Sequence, residues 1–209
     1  MSIRALLFDA DEVLQYPAAD RNADLPRILG FVPEPVDEFV AAVHAVEDTT
    51  LTGMLDFLEV LPPALARWGV AEKARDIRQW LNVITVDQSM LDLVAHLRAH
   101  GYCCALATNQ QPHRASFMAN ELRYRALFDH CFFSCDMGLA KPDSRYFEAV
   151  LATLQLKPND VIFIDDKPLN VRSASSVGIH GICFANAKDG SAQFSLRELL
   201  APFGIATEV

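Results

Sequence analysis

The chain has 209 residues, 51% of them hydrophobic and 22% charged, with a net charge of −9. That length buries one substantial core with room for an insertion, and the acidic balance excludes nucleic acid as the main partner, since phosphate neutralisation needs clustered Lys and Arg. No apolar run approaches a membrane span, the start M-S-I-R-A-L-L-F is too short and too soon acidic for a signal peptide, and the five cysteines, with no Cys-x-x-Cys pair, read as reduced thiols of a cytoplasmic protein.

Residues 3–8 read as a buried first strand that runs into Asp9. From about Tyr16 to about Val86 the sequence shows no convincing strand. Val36, Phe39, Val40, Val43 and Val46 recur at helical spacing, and so do Ile77, Trp80, Leu81 and Ile84. Leu55, Leu58, Leu61, Leu65 and Trp68 fit one or two further helices around Pro62–Pro63, a pair expected to break or kink the run. Met90, Leu91, Val94 and Leu97 mark a helix stopped by Gly101, and residues 102–107 (Y-C-C-A-L-A) follow as a second core strand. Residues 132–134 fit a short strand. Tyr146, Phe147, Val150, Leu151 and Leu154 fit a helix opened by Pro142 and Asp143. Residues 160–164 and 179–184 read as strands flanking a helix carrying Val171, Ala174 and Val177. Such alternation of strand and helix predicts an α/β protein with a parallel sheet and right-handed crossovers.

Polar groups gather where these strands end. They lie in F-D-A-D-E-V-L (8–14), A-T-N-Q (107–110), G-L-A-K-P-D (138–143) and I-F-I-D-D-K-P-L-N (162–170). In an alternating fold such strand ends converge at one edge of the sheet, where ligands bind. Asp9, Asp11, Asp165 and Asp166 would then crowd together with Thr108, Asn109 and Lys141. One ammonium cannot neutralise four carboxylates, whereas a divalent cation can, and an all-oxygen ligand set suits Mg²⁺. The histidines show no ligand spacing, and His113 reads as a helix-surface residue.

The order and chemistry of these four segments resemble the haloacid dehalogenase (HAD) superfamily. Its pattern is D-x-D-x-[TV]-L, then a strand ending in Ser or Thr, then a Lys often followed by Pro, then an acidic pair after another strand. The resemblance covers residues 3 to 183. One departure stands out: the small residue usual after the second Asp, most often Gly, is here Glu12. The resemblance implies a Rossmann-like parallel sheet with helices on both faces and an inserted α-helical cap of the C1 type. On that reading residues 16–86 form the cap, residues 1–15 and 87–209 the core, and the hinges fall at Leu14–Pro17 and near Val86–Asp87.

The same resemblance implies roles. Asp9 is the nucleophile that takes the phosphoryl group as an aspartyl phosphate. Asp11 is the acid that protonates the leaving oxygen and the base that activates water, and its backbone carbonyl joins the metal. An acid at this position favours phosphoryl transfer over dehalogenation, since a halide leaves without a proton. Thr108 and Asn109 hold the phosphate, with Asn109 otherwise orienting Asp9. Lys141 pairs with Asp9 and the transferring group. Asp166 is favoured as direct Mg²⁺ ligand, with Asp165 behind or sharing it, and Asn170 orients their loop. The expected function is Mg²⁺-dependent hydrolysis of a small phosphorylated metabolite, such as a sugar phosphate. A phosphomutase of the same family and a non-catalytic binding protein with this fold are the alternatives. Oligomeric state is not legible.

Overall fold

The computed structural model describes residues 3–205; the ends of the expected core domain, 1–2 and 206–209, lie outside it. Among the described residues seven strands occur: β1 (Ala5–Phe8), β2 (Gln15–Pro17), β3 (Ile84–Val86), β4 (Cys103–Thr108), β5 (His130–Phe133), β6 (Val161–Asp165) and β7 (His180–Cys183). Four α-helices lie between β2 and β3: α1 (Leu25–Leu29), α2 (Val36–Thr49), α3 (Phe57–Leu65) and α4 (Ala74–Leu81). The rest of the chain adds α5 (Gln88–Ala99), α6 (Pro112–Asn120), α7 (Tyr124–Leu127), α8 (Ser134–Met137), α9 (Ser144–Leu154), α10 (Pro168–Ser176) and α11 (Ala192–Leu200).

Five strands form one parallel sheet in the order β5-β4-β1-β6-β7. Every residue of β1 and β6 is buried, as expected of strands covered on both faces. One face packs on α5, α6, α7 and α11 through Leu6, Phe8, Leu93, Leu97, Met118 and Leu196. The other packs on α9 and α10 through Leu7, Ala105, Phe147, Val150, Phe163 and Ala174. β1 is central: the chain first builds outward through β4 and β5, then returns to build β6 and β7 on the opposite side. The order therefore reverses beside β1, and the crevice beyond the carboxyl ends of β1, β4 and β6 is where this architecture binds ligands.

The helical insertion has a hydrophobic core of its own, with Phe39, Val43, Phe57, Leu61, Ile77 and Trp80 at its centre. Two expectations need correction. Residues 16–17 and 84–86 are strands: β2 and β3 pair antiparallel, Gln15 with Val86 and Pro17 with Ile84, as a ribbon at the root of the insertion. Each is only three residues long, too short to leave a periodic signal. Pro62 and Pro63 do not break their helix, since both lie inside α3, which continues to Leu65. Burial of Phe57, Leu61 and Leu65 along one stripe holds the helix despite two missing N–H donors.

The insertion also touches the core away from the ribbon. Ser134 Oγ donates to Leu51 O at 2.6 Å. Gly53 sits at φ +73, and a Cβ there would stand 2.5 Å from Cys135 O. Gly53→Ala should therefore loosen this contact as well as strain the backbone, costing on the order of 1–2 kcal/mol or more. Denaturant unfolding should register the loss, with faster hydrogen exchange confined at first to residues near 51–56 and 134–136.

Candidate active site

The strand ends bring the expected residues together. Asp9 follows β1, and its backbone N–H donates to Ile164 O (2.9 Å), which ties this loop to β6. Its Oδ1 accepts from the backbone N–H of Ala10 (2.8 Å) and lies 3.1 Å from Lys141 Nζ. Lys141 is buried, and its ammonium also donates to Asp165 Oδ2 (2.6 Å) and to Ala107 O (2.8 Å). Asn109 fastens the lysine loop to the end of β4: its amide donates to Lys141 O (2.7 Å) and its Oδ1 accepts from Lys141 N (2.9 Å). Asn109 thus braces the backbone of Lys141, a pairing that stands beside the contact with phosphate or Asp9 expected from the sequence. Thr108 ends β4 and is buried; its Oγ1 accepts from Gln110 Nε2 (3.1 Å).

The acidic pair divides its work. Asp165 is fully buried and saturated, accepting from Lys141, from the Asn170 amide (3.0 and 3.1 Å) and from the backbone N–H of Lys167 (2.8 Å). Asp166 keeps one buried oxygen, Oδ1, with no partner. Carboxylate oxygens of Asp9, Asp165 and Asp166 come within 4.8 Å of one another. Burial pushes Asp9 up to about 7; Lys141 pulls against it while Asp165 and Asp11 push with it. Burial and the neighbouring Asp165 likewise raise Asp166. Burial opposes the charge on Lys141, yet Asp9 and Asp165 hold its pKa above the usual lysine value. The centre therefore has more negative charge than its one ammonium can match. An unspent carboxylate oxygen among three converging acids is a donor set that fits a hard divalent cation such as Mg²⁺.

Asp11 does not stand free over this centre. Arg114 of α6 grips it with two parallel hydrogen bonds, Nη1 to Oδ2 (2.9 Å) and Nη2 to Oδ1 (2.8 Å). Gln15 Nε2 donates to Oδ1 (2.9 Å) and Gln110 Nε2 to Oδ2 (2.8 Å). Gln15 is itself held by the hydroxyl of Tyr124 (2.9 Å). Burial works against the Asp11 charge, but Arg114 and the two amides outweigh it and bring its pKa down to about 2. In this arrangement Asp11 is an ionised acceptor. Sequence reasoning missed Gln15, Gln110 and Arg114. The signal available was Arg114 itself, a charge within the buried stripe of Ala115, Met118 and Ala119.

Glu12 adopts φ +62, the left-handed conformation that a glycine would take most easily. Its carboxylate meets Lys188 Nζ at 2.6 Å. The extra acid is thus paired, and the loop keeps the turn that carries Asp9 and Asp11 into place. His113 is more than a surface histidine: Nε2 lies 3.1 and 3.2 Å from the carboxylate of Asp56, the N-cap of α3, so it bridges the core to the helical insertion.

These strand-end residues meet two connected spaces. A small one of about 110 Å³ is walled by Asp9, Asp11, Thr108, Asn109, Lys141 and Asp166, among others. A larger one of about 850 Å³ shares Asp11, Asn109 and Lys141 and reaches up to the helical insertion. The family model for haloacid dehalogenase-like hydrolases matches residues 3–178. This chain belongs to that family.

Among its relatives, the chain is 34% identical over 120 residues to a chloroplast flavin mononucleotide hydrolase from Arabidopsis thaliana, covering 57% of this chain and 46% of that one. It is 33% identical over 113 residues to a sesquiterpene phosphatase from Aspergillus oryzae, covering 54% and 57%. The chain spans about half or less of the length of such relatives. The fold matches a HAD family enzyme from Bacteroides thetaiotaomicron, solved with magnesium and inorganic phosphate, with TM-score 0.71 at 21% identity over 90% of this chain and 97% of that one. A dehalogenase matches with TM-score 0.69 at 19% identity, covering 100% and 99%. Among the described residues, no helix is long and apolar enough to cross a membrane.

Proposed function

We propose that this HAD hydrolase is a Mg²⁺-dependent phosphatase that cleaves a small phosphomonoester through an aspartyl phosphate on Asp9. The observation that carries the reading is the pairing of two acids in one loop: Asp9 beside Lys141 in the wall of the small cavity, and Asp11, half-buried, in the walls of both spaces. A dehalogenase has no use for the second acid, because a halide leaves unprotonated. The magnesium and phosphate bound by the Bacteroides enzyme, and the phosphate esters named for two relatives, point the same way.

Asp9, Asp166 and the backbone carbonyl of Asp11 would hold the ion, with Asp165 behind them. Mg²⁺ there would offset the charge of the carboxylates and of the incoming phosphoryl group. Lys141 spreads charge on the transferring group, and the Thr108 hydroxyl at the end of β4 donates to its oxygens. Asp9 attacks phosphorus as the bond to the leaving oxygen breaks, and the leaving oxygen takes a proton from Asp11, which has to enter this step protonated. Water then attacks the phosphorus of the phosphorylated Asp9 and loses a proton to Asp11, while the bond from phosphorus to the Asp9 oxygen breaks, freeing the carboxylate and inorganic phosphate. Once it has given up its proton to the leaving oxygen, Asp11 is in the protonation state a base requires, but the Arg114 and amide bonds that lower its pKa also weaken it as one until a donor lets go. For the first step, a leaving oxygen has to displace Arg114 or one amide from a carboxylate oxygen of Asp11.

We assign residues 16–86 as the lid and residues 1–15 and 87–209 as the core, with the β2–β3 ribbon as the hinge. Loop or domain closure of this kind excludes water from the site.

Two measurements test the reading. Incubated with a panel of metabolite phosphates and Mg²⁺, the enzyme should release inorganic phosphate; conversion of a sugar monophosphate to its isomer in the presence of the bisphosphate would identify a mutase instead. Chelation should abolish release, and added Mg²⁺ should restore it. Full activity of a metal-free preparation in excess chelator would rule out the metal role given to Asp9 and Asp166.

A further inference from the structure

The lid wall of the large cavity is built to bond something. Glu47 lies on the α2 stripe that also carries Phe39 and Val43, and it is 8% exposed. Its Oε1 is buried with no hydrogen-bond partner, while Oε2 lies 3.2 Å from His44 Nδ1. Arg21 is 7% exposed, and its Nε is also buried and unpartnered. The Arg21 guanidinium carbon sits 4.3 Å from the centre of the Trp80 ring, and Trp80 Nε1 donates to Arg21 O (2.9 Å). Arg21, His44 and Glu47 all line the cavity that opens onto Asp11 and Lys141. Arg21 and Glu47 feel each other's charge, yet no ion pair joins them among the described residues. Two buried charged side chains are therefore fixed in place with bonding capacity unspent.

Resting on the phosphatase reading, we propose that Arg21, His44 and Glu47 form the subsite for the leaving group, and that this group is a neutral polyol or sugar. Hydroxyl groups both donate and accept. Neighbouring hydroxyls can donate a hydrogen bond to Glu47 Oε1 and accept one from Arg21 Nε, which satisfies both at once. A terpenyl or alkyl group would leave both charges buried without partners, which is costly. A second anionic group at this wall would face Glu47 and Asp48 as well as Arg21, whereas the other cations that line the cavity, Arg114, Lys141, Lys167 and Arg172, belong to the core side. The apolar part of the wall is Pro17, Leu51, Pro142, Pro168 and Leu169, and among the described residues no Phe, Tyr or Trp lines it.

The test compares glucitol 6-phosphate with n-hexyl phosphate, which has the same chain without hydroxyls, and uses p-nitrophenyl phosphate as reference. The wild-type enzyme should prefer the glucitol ester in kcat/KM by ~10²-fold or more, as sites built around hydrogen bonds do. Glu47→Gln should cut the glucitol-to-hexyl ratio by about 10-fold or more. Glu47→Leu should cut it further by raising turnover of the hexyl ester. Equal turnover of glucitol and hexyl esters by the wild-type enzyme would overturn this inference alone, and so would a ratio unmoved in both variants, each shown to be folded by its thermal melt. No phosphate from p-nitrophenyl phosphate either would instead overturn the phosphatase reading on which the subsite depends.

Discussion

Asp9→Asn is expected to abolish phosphate release without harming the fold. The amide keeps the size of the carboxylate, and its oxygen can still accept from Ala10 N, as Asp9 Oδ1 does at 2.8 Å. It cannot form a phosphorylated intermediate. Loss of a nucleophile that acts as one unit with its neighbours costs on the order of 10⁴-fold or more in kcat. Stability should move the other way. Asp9 is one of three carboxylates whose oxygens converge within 4.8 Å, and Lys141 keeps its bond of 2.6 Å to Asp165 after the change. Removing one negative charge from that crowd relieves repulsion, so the melting temperature in metal-free buffer should hold or rise. Unfolding of the variant at a lower temperature, with activity falling only in proportion, would show that Asp9 is a structural residue.

Much of this site could be read in the sequence because its residues mark places where one pattern stops. Asp9, Thr108 and Asp165 each end an apolar run, and a strand buried on both faces leaves its first polar residue at the sheet edge. Lys141 was found by its order in the chain and by the family resemblance, not by periodicity. The cradle of Asp11 was hidden for a different reason. Gln15, Gln110 and Arg114 are polar side chains in a buried network, and polar letters are normally read as surface. Only their phase gives them away: Arg114 and Glu47 both occupy apolar stripes of their helices. The ribbon of β2 and β3 was invisible because three residues carry no period. The prolines of α3 misled because propensity is a weak prior that tertiary burial overrides.

The structure sharpens the prediction for Asp11. Asp11→Asn preserves size and removes proton chemistry. It also disturbs the cradle, because Arg114 is largely buried and points two donors at the carboxylate. Asparagine offers one acceptor oxygen where Asp11 offers two, and turns an amide NH₂ toward a guanidinium or a glutamine amide. The variant should lose on the order of 1–3 kcal/mol of stability, at the low end because Asp11 is half-buried. Catalysis should suffer unequally. With p-nitrophenyl phosphate the leaving group needs little protonation, so transfer of the phosphoryl group to Asp9 should survive in part. Attack of water on the phosphorylated enzyme needs a base, and the other polar groups that touch the Asp11 carboxylate, Arg114, Gln15 and Gln110, are hydrogen-bond donors. The second step should slow by ~10²–10⁴-fold, and phosphorylated protein should accumulate. Rapid quench followed by intact-protein mass spectrometry reads that species directly, with Asp9→Asn as the control that cannot be phosphorylated. A stably folded Asp11→Asn enzyme that turns over at the normal rate would remove the Asp11 carboxylate from the chemistry and leave that side chain the structural role of holding Arg114. Phosphorylation of the Asp9→Asn control would move the nucleophile elsewhere.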